Sequence, residues 1–121
     1  MHDAVITDYT VDIKNAKIII HTDKGRTFEA FGVLTHSFEC ILESNIIFDI
    51  TEYDIADFIR DNAENINKHK NNCWPVNYDT AEELCAYLKG NGYKYIVIAS
   101  SLGLNGFALA KGYKIYKEIL L

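Results

Sequence analysis

IIFDITEYDIADFIRDNAENI, running from Ile46 to Ile66, changes its hydrophobic period midway, and that change sets the fold class. Ile46, Phe48 and Ile50 alternate with other residues, the period of a strand. From Thr51 the repeat lengthens. Thr51 stands three residues before Asp54, a Ser/Thr-x-x-Asp/Glu capping pattern that predicts a helix starting near Glu52 and ending around Ile66–His69. Asp54, Asp57, Asp61 and Glu64 recur at spacings of 3, 4 and 3. At roughly 100° per residue they share a sector of about 80°, with Ile55, Phe58, Ile59 and Ile66, and Asn62 among them, on the other side. Neighbouring like charges on a helix cost about 0.2–0.5 kcal/mol per pair, so a basic partner is the natural use for such a stripe.

Upstream, Val5 to Ile13 alternates cleanly and predicts a half-buried strand with Val5, Thr7, Tyr9, Val11 and Ile13 on one face. Asn15-Ala16 turns it into a returning strand at Lys17–Thr22, and Asp23-Lys24-Gly25 makes the next tight turn. A long β segment from Arg26 to about Cys40 contains Gly32, which marks a bulge or a bend. Downstream, Lys70 to Tyr78 reads as a loop around Trp74-Pro75. Asp79 and Thr80, with Glu82 and Glu83 three residues on, predict the cap of a second helix that buries Ala81, Leu84, Cys85 and Leu88 and stops at Gly90-Asn91-Gly92. Tyr93–Ser100 and Phe107–Tyr116 are the last strands, joined through SSLGLNG (Ser100–Gly106), whose Asn105-Gly106 is a hairpin signal. The expected class is α+β: a mostly antiparallel sheet of about six strands, ordered β-β-β-β-α-α-β-β, with both helices on one face. At 121 residues, with one proline and no linker-like stretch, residues 1–121 form a single expected domain.

Composition narrows the function classes. Net charge is −5, unevenly spread. Glu39 to Glu64 carries eight acids against Arg60, and Lys89 to Leu121 carries five lysines against Glu118. An acidic chain with two arginines is a poor nucleic-acid binder, and the tyrosines and lysines of the last strands read as cross-strand packing. No apolar run approaches the ~20 residues that cross a bilayer. Three cysteines, no Cys-x-x-Cys pair and no leader-like start at MHDAVITDYT point to reduced thiols and a cytoplasmic location.

No residue set predicts catalysis. His36/Cys40 and His69/Cys73 resemble zinc-ligand spacings, but on a straight strand His36 and Cys40 lie about 13 Å apart at ~3.3 Å per residue, whereas zinc holds each donor at about 2.3 Å. A Cys/His nucleophile pair lacks a third orienting residue. Carboxylates on the stripe are expected to face water, with no burial to prepare them for general acid–base work. We therefore expect no enzyme activity, no metal and no cofactor.

GVLTHSFECILESNIIFDI (Gly32–Ile50), followed by YIVIASSLGLNGFALAKGYKI (Tyr95–Ile115), resembles small acidic bacterial immunity proteins of polymorphic or contact-dependent toxin systems. The resemblance implies a cytosolic inhibitor that occludes a cognate toxin, often a nuclease with a basic surface. The charge pattern leads independently to the same kind of partner. The expected contact residues are Glu43, Asp49, Glu52, Asp54, Asp57, Asp61 and Glu64, facing a basic protein. The alternative expectation is a small-molecule-binding or enzymatic α+β domain using a pocket near His36, Cys73 and Ser100/Ser101.

Overall fold

The computed structural model describes residues 4–39, 46–68, 78–103 and 105–117. The chain runs β1 (Ala4–Asp12), β2 (Lys17–Thr22), β3 (Arg26–Phe31), β4 (Thr35–Glu39), β5 (Ile46–Tyr53), α1 (Ile55–Asp61), α2 (Ala63–Lys68), α3 (Ala81–Gly90), β6 (Lys94–Leu102), β7 (Asn105–Ala110) and β8 (Gly112–Lys117). The fold is α+β, and every strand pair is antiparallel.

The strand order is β4-β7-β6-β5-β1-β2-β3-β8. Its two ends are continuations of inner strands. β4 follows β3 across 32–34, and β8 follows β7 across Lys111 alone. The pairing runs through the bend: Arg26↔Lys117 to Phe31↔Gly112, then Thr35↔Leu109 to Glu39↔Asn105. Six long strands thus close on themselves as a flattened barrel with two halves. One half is β4-β7-β6-β5 and the other is β1-β2-β3-β8. The start of β1 also reaches β5 through Ala4 and Val5.

Local chemistry makes the bend. Gly32 has φ +62°, and a Cβ there would fall 2.9 Å from that of Lys111. Lys111 N–H is shared between the carbonyls of Phe31 (3.1 Å) and Gly32 (3.2 Å). The Phe31 ring lies where any side chain on Gly112 would go. The expected bend at Gly32 is therefore present, and it divides one long ribbon between two sheets.

Two apolar clusters result. Between the halves, Ile18, Ile20 and Phe28 meet Ile96, Ile98 and Ala108. On the outside of the first half, Ile55, Phe58, Leu84 and Leu88 pack on Tyr95 and Leu109. β6 and β7 feed both, with Ile96 and Ala108 facing inward and Tyr95 and Leu109 facing the helices. This double burial explains the nearly continuous apolar run YIVIA.

Four local expectations are corrected. β1 has a bulge between Ile6, opposite Thr22, and Asp8, opposite His21. The extra residue reverses the alternation: Ala4 and Ile6 are buried, Thr7 is exposed, and only Val11 of the expected set packs on the inner cluster. Thr51 is not a helix cap. β5 continues through it because Thr51, Glu52 and Tyr53 pair with Val97, Ile96 and Tyr95, so the cap falls to Asp54. The expected first helix is broken at Asn62, whose backbone N–H and side-chain amide both bond the Phe58 carbonyl (3.1 and 3.0 Å). Finally, Asn105-Gly106 lies inside β7, opposite Glu39 and Phe38, and the turn passes through Gly103. The second capping pattern forms as read, with the Thr80 hydroxyl accepting from Glu83 N–H at 3.2 Å.

Candidate functional site

The site begins with how α1 is anchored. Phe58 is fully buried and meets Tyr95 and Phe107 edge-on, at ring separations of 5.3 and 5.4 Å. Ile55 and Ile66 are buried beside it, and the Tyr78 hydroxyl donates to the Ile66 carbonyl to hold α2 down. With that ridge committed, the opposite flank faces water. Asp54, Asp61 and Glu64 are exposed and Asp57 is half-buried. The break at Asn62 separates Glu64 from the continuous α1 stripe.

The stripe is partly neutralised from within. Arg60 Nη2 sits 2.9 Å from Asp57 Oδ1, and its Nε sits 3.4 Å from Asp61 Oδ1. The Arg60 side chain is 71% exposed, so these contacts are worth at most about 1 kcal/mol and a competing cation displaces them readily. The Tyr95 hydroxyl donates to Asp61 Oδ2 at 3.3 Å. Burial, followed by the nearby Asp61 charge, pushes that phenol above its ordinary range.

β5 adds to this surface. Tyr53 pairs with Tyr95 and Thr51 with Val97, so Asp49, Thr51 and Tyr53 share the helix-bearing face. Asp49 is exposed and accepts from the Thr51 hydroxyl at 2.7 Å. Tyr53 is 47% exposed, with its ring 6.2 Å from that of Tyr95. The sequence reading missed Tyr53 because it placed this residue in the helix. Extending the Ile46–Ile50 alternation by three residues would have found it.

Glu52 falls elsewhere. It alternates onto the other face of β5 with Ile50, and Lys94 Nζ approaches it at 3.6 Å. Glu43 and Cys73 lie outside the described residues. Ser100 and Ser101 belong to β6 and not to a loop. His36, on β4, lines a half-open cavity of about 320 Å3 with Val11 and Val33. Of the expected seven contact residues, the structure places Asp54, Asp57 and Asp61 on the flank of α1 that follows Tyr53, with Glu64 one break further on. Asp49 lies on the same face of β5, about 13 Å along the strand from Tyr53 at ~3.3 Å per residue.

The aromatic–lysine pattern of the last strands resolves into packing. Lys111 lies over the Tyr93 ring at 5.6 Å and Lys114 over Tyr116 at 5.2 Å. Cys40, His69 and Cys73 of the considered zinc set lie outside the described residues, and among the described residues no three His, Cys, Asp or Glu side chains group as metal ligands. No described helix is long and apolar enough to cross a membrane. Comparison with protein-family models and with curated proteins finds no match for this chain.

Proposed function

We propose that this chain is a non-enzymatic protein-binding domain of immunity type, which neutralises a cognate toxin in the cytoplasm by presenting an acidic surface to a basic one. The observation that carries this reading is the division of α1. Its apolar ridge is spent on the sheet, while Asp54, Asp57 and Asp61 stay at the surface beside an exposed tyrosine. Carboxylates around an aromatic side chain suit an interface: the charges steer encounter and the ring supplies an anchor. Arg60, which lies between two of the carboxylates, supports this reading, since a guanidinium suits that geometry.

The test is binding to a basic protein encoded beside this chain, measured calorimetrically at low and high salt. Reversal of Asp57 and Asp61 to lysine should weaken the complex at least tenfold at low salt and leave the folded structure intact. Steering by charge should also fade as salt rises. Undiminished affinity in the double variant would remove this flank from the interface.

A further inference from the structure

The bend that divides the long ribbons leaves one sheet edge open, in the half that carries no described helix. β6 begins at Lys94, opposite Ala110, so its ladder with β7 stops at the bend and does not continue beside β8. Among the described residues β8 pairs with β3 alone, through an unbroken register from Arg26↔Lys117 to Phe31↔Gly112. The other free edges are blunted. A bulge between Ile6 and Asp8 interrupts β1, β5 shifts register between Ile46 and Asp49, and the Phe38 ring of β4 meets Tyr9 edge-on at 6.1 Å. Bulges and covering side chains are how an edge is kept from further pairing. Among the described residues β8 has neither.

Two further observations mark this edge as unfinished. Ile115 stands opposite Phe28 and so faces the inner cluster, yet it is 37% exposed where Phe28 is fully buried. Tyr116, on the other face of β8, is exposed to the same extent. An added strand would cover both. The second observation is electrostatic. Arg26 and Lys117 are direct cross-strand partners of like charge, an arrangement that costs stability. Among the described residues neither has an ion-pair partner. Lys17 and Lys114 share Glu29 at 3.6 and 3.2 Å, and the β2–β3 turn adds Asp23 and Lys24. Glu118, next in sequence, lies outside the described residues. Even with it counted the balance is positive: Arg26, Lys17, Lys24, Lys114 and Lys117 stand against Asp23, Glu29 and Glu118.

We propose that the open edge of β8 takes up an extended acidic segment of a partner protein, which joins the β1-β2-β3-β8 sheet as a further strand. This surface is separate from the acidic flank of α1 and selects the opposite charge. Main-chain hydrogen bonds to the open side of β8 supply affinity, and alternate side chains set specificity. A carboxylate beside Lys117 relieves its like-charge pairing with Arg26. Two residues along, on the same face, an aliphatic side chain lies beside Ile115 and extends the inner cluster. On the outer face a second carboxylate meets Lys114 and an apolar side chain meets Tyr116. A second copy of this chain fits less well, because its own β8 would bring the same lysines to an edge already positive.

Capped hexapeptides provide the test on the full chain, read by NMR titration and amide hydrogen exchange. The probes are Glu-Val-Val-Glu-Val-Thr, its counterpart with Lys for Glu, and the Glu peptide N-methylated throughout, which keeps the side chains but has no N–H to pair as a strand. The acidic peptide should shift and protect the amides of β8. The lysine peptide should bind about tenfold more weakly, and the methylated one should leave β8 unmoved. Lys117→Glu gives Arg26 an opposite charge, so this variant should fold at least as stably as the parent. It should lose about fivefold in affinity for the acidic peptide and gain affinity for the lysine peptide. Equal binding of the two charged peptides would overturn the proposal, as would binding that survives methylation, protection that maps to other strands, or no response of β8 to any peptide. Protection of β8 that rises with protein concentration alone would assign the edge to a second copy and overturn it too.

Discussion

The two halves of the barrel shield their central strands in different ways. In the helix-bearing half, β6 and β7 are apolar on both faces because α1, α2 and α3 cover the outside. In the other half no described helix lies over β3, yet Thr27 and Glu29 on its outer face are only 1% and 8% exposed. Neighbouring side chains do the covering. Lys17 and Lys114 reach Glu29 at 3.6 and 3.2 Å, and His21 meets Asp8 at 2.6 Å one row along. Long stems lie over the strand while their charged heads stay wet. One half thus gains its cover by burying hydrocarbon, worth about 25 cal/mol per Å2. The other gains it from surface ion pairs, each worth about 1 kcal/mol or less.

Mutations should reproduce this asymmetry. Phe58→Ala removes the anchor of α1 and should cost about 3–5 kcal/mol, the largest effect expected. Urea unfolding measures it. Native-state hydrogen exchange should show α1 losing protection before β2 and β3 do. A uniform loss across both halves would mean that the helices are not an added layer but part of a single cooperative core.

Gly32→Ala acts on the bend that joins the halves. A left-handed backbone costs a non-glycine residue about 1–2 kcal/mol, and the new Cβ must also push Lys111 aside. The loss should appear in the urea midpoint with helix content unchanged by circular dichroism. Glu29→Ala tests the bare half. Both lysines are substantially exposed and regain water, so a loss of about 1 kcal/mol is expected, shrinking in high salt. A loss as large as that of Phe58→Ala would erase the contrast between the halves.

The smallest expected effect concerns pH. Burial depresses the His36 pKa below its reference of 6.5, so on acidification the unfolded chain takes up that proton first. Stability from this group is fully present above 6.5 and falls as pH drops toward the folded-state value. A shallow decline of the urea midpoint over that window, absent from His36→Phe, is the expected result.

Much of the fold could be read in the chain because its signals are local. The capping of α3 by Thr80 and its buried face of Leu84 and Leu88 each depend on residues within a few positions of one another. The acidic stripe was legible for the same reason: α1 faces water with the residues opposite its apolar repeat. Glu52 and Tyr53 were misplaced because strand pairing with Ile96 and Tyr95, more than 40 positions away, outcompeted a local capping pattern.

By itself, the sequence determined the α+β class, the succession of strands, then helices, then strands, and which side of α1 is polar. The reason is that the hydrophobic period selects the buried face of an unbroken element. The five strands, three helices and three strands found among the described residues replace the expected four, two and two. Tertiary structure decided the rest. Closure of six strands into two halves needs β3–β4 and β7–β8 to bend together, and neither partner encodes that alone. The bulge that reverses β1 exists because this strand must serve both sheets. Val33 N–H reaches the Ala16 carbonyl at 2.9 Å because the bend brings the chain leading into β4 back against the β1–β2 turn. Long-range pairing sets these features, and its energy is decided by partners that no local window contains.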